Sequence, residues 1–301
     1  MNPASRRQSV EAVIEKLGVS ERQACKALDQ HRSTHRYDRK MPEKDRLLTE
    51  AIREQANKRK HRRYGYRRIT EILCILGWMV NHKRVYRIWR QGGLRIAQKR
   101  GKKKHPNGSG RNACDRHPPA YMNHIWSYDI MEDRLENGRT VRVLNVIDEF
   151  TRECLASEVA FSITSHDVIE LLRYLFLVRG CPAYLRSDNG SQFTARRVKQ
   201  FLEELGVATL FIEPGSPWEN GYVESFNSRM RDELLDGELF LHIDEMKYVV
   251  ERWRMDYNHY RPHSSLGYTT PAGFAALCRQ VGCIRPHTPV LNGSQECGIL
   301  S

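Results

Sequence analysis

The stretch Leu185-Arg186-Ser187-Asp188-Asn189-Gly190-Ser191-Gln192-Phe193 places an acid directly after a short segment that is typical of a strand. Residues 183–187 are predicted to form that strand, and Asn189-Gly190 is a turn sequence that exposes the Asp188 side chain. A second stretch, Pro214-Gly215-Ser216-Pro217-Trp218-Glu219-Asn220-Gly221-Tyr222-Val223-Glu224-Ser225-Phe226-Asn227, leads into a predicted helix over residues 219–235 that carries Glu224. The two stretches together place one acid at the end of a strand and another inside a helix.

The segments before and between these stretches alternate in a way that decides the fold class. Residues 125–130 read as a strand that contains Asp129, and Asn137-Gly138 is a strong hairpin turn before a returning strand over 141–147. A third strand is expected around 153–159. Helices over 165–178 and 194–205 and a strand over 209–212 complete the pattern. Three antiparallel strands followed by alternating helices and strands predict an α/β domain with a mixed sheet flanked by helices.

Asp129, Asp188 and Glu224 are candidate metal ligands because they come from a strand, a strand end and a helix. Cleaving a phosphodiester bond and reusing the freed hydroxyl requires cations that neutralise the phosphate and activate the attacking oxygen. Magnesium prefers oxygen ligands and keeps several waters, so a few carboxylates from different elements suffice. The residues alone leave competing acids open, although these are more easily explained as turn, cap or surface charges: Asp148, Glu149, Glu219 and Asp232.

The N-terminal part of the chain has a helical pattern. Residues 8–30 predict two short helices, separated at Gly18, and Ser20 with Gln23 forms a capping box for the second. This order is typical of a helix-turn-helix, and an ordinary helical hairpin explains it equally well. His31 and His35 have a spacing seen in zinc sites, but no close cysteine pair follows to complete four ligands, so zinc is not expected there.

A second, strongly basic helical region follows. A helix over 43–58 precedes the run Lys58-Arg59-Lys60-His61-Arg62-Arg63, and Ile69, Ile72, Leu73 and Leu76 then fall on one helical face. Asn81 is a predicted cap for a helix that Gly92-Gly93 ends. The polar face of that helix lacks acids, which favours phosphate contacts over a merely solvated face. It carries Lys83, Arg84, Arg87 and Arg90.

The charge of the chain is divided unevenly. Up to His117 there are 31 Lys and Arg but 11 Asp and Glu, whereas acids outnumber bases by 25 to 18 afterwards. A basic front half before a mildly acidic back half indicates a nucleic-acid-binding region joined to a metal-binding one. No apolar stretch approaches the roughly 20 residues needed to cross a bilayer, and no secretory signal precedes the helices, so no membrane partner and a cytoplasmic location, nucleoid-associated when bound to DNA, are expected.

The two quoted stretches resemble the catalytic-core signatures of DDE transposases, and most closely the OrfB-type transposases of insertion sequence family three, relatives of retroviral integrases. The resemblance continues in Tyr257-Asn258 and in Arg261-Pro262-His263-Ser264-Ser265-Leu266-Gly267-Tyr268, followed by Thr270-Pro271. It also reaches back to the helical region over 64–94, which is similar to the helix-turn-helix segment before that core.

The resemblance implies an RNase H-like (integrase catalytic core) fold in which Asp129, Asp188 and Glu224 are the catalytic, metal-binding triad. It further implies Mg²⁺ or Mn²⁺, with two ions expected, and no covalent enzyme–DNA intermediate. Water attacks at the element end to release a 3′-hydroxyl, which then attacks another phosphodiester. Arg231 matches a basic position after the glutamate and shares its helical face. A solvent-facing Arg231 remains the alternative.

Four segments are expected: a helical DNA-binding region over 1–97, a basic linker over 98–119, the catalytic domain over 120–280 and a tail over 281–301. The expected partners are element-end and target DNA, further copies of the chain on DNA, and an upstream-frame protein joined as a fusion. A non-catalytic DNA-binding regulator and a plain nuclease are the alternatives. The expected DNA-contacting residues are Arg231, Lys83, Arg84, Arg87, Arg67 and Arg68.

Overall fold

A computed structural model of the chain describes residues 3–36, 43–61, 63–94, 117–187, 196–211 and 220–282. Residues 1–51 form one compact unit and residues 52–301 form another. Most of the expected linker and tail lies outside the described residues, so the three boundaries between the four expected segments remain predictions. No helix within the described ranges is long and apolar enough to cross a membrane.

The first unit is helical. Its small core packs Val10 against Ala24 and Cys25. The predicted capping box is present, because the Ser20 Oγ accepts from the Gln23 backbone N–H at 3.4 Å while the Gln23 Oε1 accepts from the Ser20 N–H at 3.1 Å. The helices of this unit are α1 (Pro3–Leu17), α2 (Glu21–Ala27), α3 (Arg32–Arg36) and the first part of α4 (Glu43–Asn57).

After the last part of α4, the second unit continues with a helix pair, α5 (Tyr66–Ile75) and α6 (His82–Gln91). Asn81 caps α6 as predicted, since its Oδ1 accepts from the Lys83 N–H at 2.9 Å. The buried residues of α5 include Ile69, Ile72 and Leu73. Leu76 differs from the expected apolar face: it is 57% exposed, because α5 ends at Ile75 and Leu76 is its C-cap residue.

A five-stranded mixed sheet forms the centre of the second unit. Its order is β3-β2-β1-β4-β5, with β1, β2 and β3 antiparallel and β4 and β5 parallel to β1. This arrangement confirms the expected α/β class. The strands are β1 (Ile125–Arg134), β2 (Thr140–Asp148), β3 (Cys154–Ala160), β4 (Tyr184–Ser187) and β5 (Ala208–Phe211).

The turn between β1 and β2 lies where Asn137-Gly138 predicts it. Gly138 has a φ of 77°, a backbone conformation that side-chain-bearing residues rarely adopt. The Asn137 Oδ1 accepts from the Arg139 N–H at 3.0 Å, and the Leu135 N–H donates to the Arg139 carbonyl at 3.0 Å. The turn fixes the register in which Asp129 on β1 lies opposite Asn145 on β2.

Helices cover both faces of the sheet. One core contains Trp126, Leu144 and Leu172, with α7 (Ser165–Arg179) and α8 (Arg196–Glu204). The other contains Val143, Phe226 and Trp253, with α9 (Gly221–Glu233) and α10 (Ile243–His259). Because side chains alternate along a strand, Asp129 and Met131 face the α9 side, while Trp126 and Tyr128 face the α7 side.

Two C-terminal helices, α10 and α11 (Pro271–Val281), complete the unit. Asn258, near the end of α10, is buried and bridges the backbone of β3. Its Oδ1 accepts from the Cys154 N–H at 2.9 Å and its Nδ2 donates to the Cys154 carbonyl at 2.8 Å. The Tyr257-Asn258 part of the C-terminal motif therefore attaches α10 to the outer strand of the sheet.

A buried ion pair joins the end of α9 to the segment after α10 and to the first helices of the unit. The Arg261 Nη2 lies 2.6 Å from the Glu233 Oε1, and the two side chains are 2% and 3% exposed. Arg68 on α5 approaches the same carboxylate at 3.8 Å, and the Tyr64 ring lies 5.8 Å from the Arg261 guanidinium carbon. The Arg59 Nη2 also lies 2.7 Å from the Glu238 Oε1. These contacts hold Arg59, Tyr64 and Arg68 against the catalytic core.

Replacing Glu233 with alanine is expected to lower the free energy of unfolding by about 3–5 kcal/mol, because one partner of a buried ion pair remains without its countercharge. Urea unfolding of the full chain measures this loss. The matched control is Glu170→Ala, which removes the Arg173 partner of an ion pair whose glutamate is 51% exposed and should cost about 0–1 kcal/mol. Equal losses in the two variants would contradict the role given to Glu233.

Candidate active site

Asp129 lies in the middle of β1 on the face covered by α9, and its side chain is partly exposed. Its Oδ1 accepts a hydrogen bond from the Ile130 N–H at 2.8 Å, and its Oδ2 accepts one from the Asn227 Nδ2 at 2.8 Å. The Asp129 carboxylate is therefore held in place by hydrogen bonds from both β1 and α9.

Glu224 lies in the first turn of α9, which begins at Gly221. Its side chain reaches solvent, and desolvation of the part that is buried raises the pKa of the carboxyl above its usual value. Residues three and seven positions later share its helical face. Of these, Asn227 contacts Asp129, and the Arg231 Nη2 donates to the Glu132 carbonyl at 2.8 Å. The face of α9 that carries Glu224 is thus the face that runs along β1.

A chain of hydrogen bonds links β2, α9 and β1. The Asn145 Nδ2 donates to the Asn227 Oδ1 at 2.8 Å, and the Asn227 Nδ2 donates to the Asp129 Oδ2. Asn145 is fully buried and lies opposite Asp129 in the strand register. Neither asparagine was predicted from the sequence to have a role. Asn227 stands three residues after Glu224 in the quoted stretch, and its helical spacing is the signal that points to it.

Asp188 lies outside the described residues. β4, which ends at Ser187, is the parallel neighbour of β1, and Ser127 pairs with Arg186. Each of these two paired residues stands two positions before a predicted catalytic acid, Asp129 in one strand and Asp188 in the other.

Asp148 and Glu149, at the end of β2, are two of the acids that the sequence left as alternative metal ligands. Both are buried and contact neighbouring residues of the fold. Asp148 accepts hydrogen bonds from the backbone N–H groups of Asn123, Phe150 and Thr151, so it caps the turn after β2. Burial raises the pKa of Asp148 to about 6, although these three donors oppose the shift.

Glu149 is fully buried and pairs with Arg186, whose Nε lies 3.1 Å from the Glu149 Oε1. The same oxygen accepts a hydrogen bond from the Ser127 hydroxyl. Burial raises the pKa of Glu149 to about 7, against the effect of the arginine. This cluster braces β1 and β4 just before their predicted catalytic acids.

The basic side chains expected to contact DNA occupy different environments. On α6, Lys83 and Arg87 are exposed and Arg84 is half-buried, and Arg67 on α5 is exposed. Arg68 points inward: its side chain is 18% exposed and close to Glu233, and burial lowers its pKa. The sequence pattern gave no sign of this difference, because adjacent arginines look alike until the fold assigns their faces.

Metal-binding capacity follows from the oxygen donors of Asp129 and Glu224. Both are carboxylates, the ligand type that suits hard divalent cations. Within the described ranges, no three His, Cys, Asp or Glu side chains converge as a metal-binding group. The expected third ligand, Asp188, is outside those ranges.

Comparisons with known proteins agree with this arrangement. An HTH-like domain model matches residues 42–103, and two integrase core domain models match residues 119–217 and 205–271. A protein of insertion element IS407 from Burkholderia multivorans is 37% identical over 268 residues, which cover 89% of this chain and 95% of that protein. A protein of insertion element IS476 from Xanthomonas euvesicatoria is 36% identical, covering 92% and 78%.

More distant similarity extends to a named transposase and to solved structures. Transposase InsD of an IS2 element from Escherichia coli is 29% identical, covering 73% of this chain and 75% of that protein. The HTLV-2 integrase catalytic core domain in complex with magnesium aligns with a TM-score of 0.41 and 17% identity, covering 52% of this chain and 98% of that one.

A mixed sheet of this order, with a helix that runs along its central strand and carries a glutamate, defines an integrase-type catalytic core preceded by an HTH-like domain. The chain belongs to the transposases of insertion sequence family three, which the resemblance of its motifs predicted. It is a polynucleotidyl transferase of the DDE type.

Asn227→Ala is expected to reduce DNA strand joining by about 10–100-fold, because Asp129 loses the hydrogen bond that orients its carboxylate. The measurement is the initial rate of joining with the full chain. Ser228→Ala is the matched control, since the neighbouring residue on α9 is exposed. An unchanged rate in the Asn227 variant would contradict the positioning role.

Proposed function

We propose that the transposase cleaves DNA at the ends of an insertion element and joins the freed 3′-hydroxyl to target DNA, using Asp129, Asp188 and Glu224 as its catalytic carboxylates. The observation that carries this proposal is the 2.8 Å hydrogen bond from Asn227 to Asp129. It supports a site in which the Glu224 face of α9 lies against the strand that holds Asp129. In the sequence, Asp188 directly follows β4, the strand that pairs in parallel with β1.

We propose that the three carboxylates hold Mg²⁺ or Mn²⁺, with two ions in the complete site. Asp129 and Glu224 supply oxygen ligands, and Asn227 orients one of the Asp129 oxygens while the other accepts from the backbone. Bound divalent ions supply charge neutralisation at the phosphate and activation of the attacking oxygen. Arg231 is on the same face of α9 as Glu224 and donates a hydrogen bond to the Glu132 carbonyl of β1. It provides positive charge beside this site for a nearby DNA phosphate.

The DNA-binding surface that we propose lies on the helix pair α5–α6. Lys83, Arg87 and Arg67 are exposed there, with Arg84 beside them. Cationic side chains on one helical face bind the phosphate backbone and release its counterions. Arg68 serves chiefly to attach α5 to the catalytic core through Glu233. We further propose that two or more copies of the chain assemble on DNA, and that an upstream-frame protein joins it as a fusion.

Glu224→Gln is expected to abolish cleavage and joining while leaving DNA affinity nearly unchanged. Loss of a metal-ligand oxygen removes the chemistry, whereas binding by lysine and arginine depends on other residues. The measurement is a strand-transfer assay with the full chain, element-end DNA and Mg²⁺, next to an EDTA control and a fluorescence-anisotropy titration of the same DNA.

Glu170→Gln is the matched control, because Glu170 is an exposed glutamate on α7, on the opposite face of the sheet. It should keep both activity and affinity. Joining by the Glu224 variant at the wild-type rate would refute the site assignment. If the wild-type chain binds DNA and forms no product, the assay is repeated with the longer protein in which the upstream-frame protein is fused to this chain.

A further inference from the structure

A cavity of about 230 Å³ lies beside α9, on a different face from Glu224. Tyr222, Ser225 and Arg229 line it from the helix, at positions that share one face of α9. The C-terminal motif contributes His263 and Ser265 from the segment after α10. The cavity therefore gives a structural role to a part of the motif that the carboxylate site does not use.

Arg152 enters the cavity from the turn between β2 and β3. Its φ of 62° is in the left-handed region, which non-glycine residues seldom occupy. The turn is held by the Asp148 carboxylate, which accepts from Phe150 and Thr151, and by the Arg152 N–H, which donates to the Asp148 carbonyl at 2.9 Å. This rigid turn fixes the direction of the Arg152 side chain.

The Arg152 guanidinium is stacked on an aromatic ring, and one of its nitrogens lacks a hydrogen-bond acceptor within the described part of the chain. Its central carbon lies 3.9 Å from the centroid of the Tyr222 ring. Its Nη1 is buried and has no hydrogen-bond partner among the residues that the structure describes. A buried cationic donor without an acceptor is unfavourable. Arg152 also lines the cavity, where an anion would pair with the charge of its guanidinium.

The polar groups around the cavity suit an oxyanion. The described lining residues include two arginines and no carboxylate. His263 forms a 2.9 Å hydrogen bond with the Ser265 hydroxyl. Burial and the nearby arginines Arg261, Arg152 and Arg229 lower the pKa of His263 to about 4, so it is neutral at pH 7 and adds hydrogen bonding without charge. Arg229 and Ser225 are exposed, so a polymer can reach the cavity from solvent.

We infer that this cavity binds one phosphate of the DNA backbone through Arg152 and Arg229, at a site separate from the catalytic carboxylates. The inference rests on the proposed function for the identity of the polymer. A phosphate held on one side of α9 while the other side faces Asp129 would fix the DNA relative to the helix that carries Glu224.

The test measures DNA affinity across a salt series in EDTA, with a fluorescein-labelled duplex of mixed sequence and the full-length variants Arg229→Gln, Arg152→Gln and the double variant. Each phosphate contact adds about 0.9 to the slope of log affinity against log salt concentration. Each single variant should lower the slope by about 1, and the double variant should also lower it by about 1, because both arginines hold the same phosphate. Arg173→Gln, an exposed arginine on α7, should leave the slope unchanged.

Three results of the salt series would overturn the inference. They are an unchanged slope in Arg229→Gln, a loss in the double variant equal to the sum of the single losses, and an equal loss in Arg173→Gln. A thermal shift measurement with inorganic phosphate distinguishes a site for free anions from a site for DNA. If phosphate stabilises the wild-type chain but not the arginine variants, and the DNA slopes of those variants are unchanged, the inference is also overturned. Because no step needs metal, a chain that fails to join DNA still gives a valid answer.

Discussion

The contact between α9 and β1 is the constraint on which the rest of the catalytic core depends. Its apolar part is the packing of Val223, Phe226 and Met230 in the core on that side of the sheet, and its polar part is the Asn145–Asn227–Asp129 chain of hydrogen bonds. Apolar packing fixes the distance of the helix from the sheet, whereas the asparagine chain fixes its rotation and its position along the strand. A buried amide chain has this specificity because each misplaced donor would remain unsatisfied in a low-dielectric interior.

Buried charges hold the elements around this contact. The Glu149–Arg186 pair joins the turn after β2 to β4, and the Arg261–Glu233 pair joins the segment after α10 to the end of α9. Such pairs add little net stability compared with apolar packing. Breaking one is costly, because it leaves an unpaired buried charge, so the pairs favour one arrangement of these elements over others. The C-terminal motif, which starts near the end of α10, thus serves the core in three ways: Asn258 binds β3, Arg261 binds α9, and His263 lines a cationic cavity.

The sequence predicted the sheet strands and the capping residues well because their signals are local. The Asn137-Gly138 turn, the capping box at Ser20 and the Asn81 cap each depend on a few adjacent residues. The strand order and the nearness of Asn227 to Asp129 depend on contacts between residues far apart in the chain, which no local pattern reports. No helix was predicted after residue 235, where α10 and α11 lie. Similarly, Arg67 and Arg68 differ only once α5 is packed, when one faces solvent and the other faces Glu233.

The central claim is that Asp129, Asp188 and Glu224 form one metal site. The most direct measurement is anomalous X-ray scattering from crystals of the full chain soaked in Mn²⁺. Anomalous peaks are expected within coordination distance of the Asp129 and Glu224 carboxylates, with the Asp188 carboxylate as a further ligand. Peaks at other residues only, in crystals of a chain that joins DNA with Mn²⁺ in solution, would contradict it.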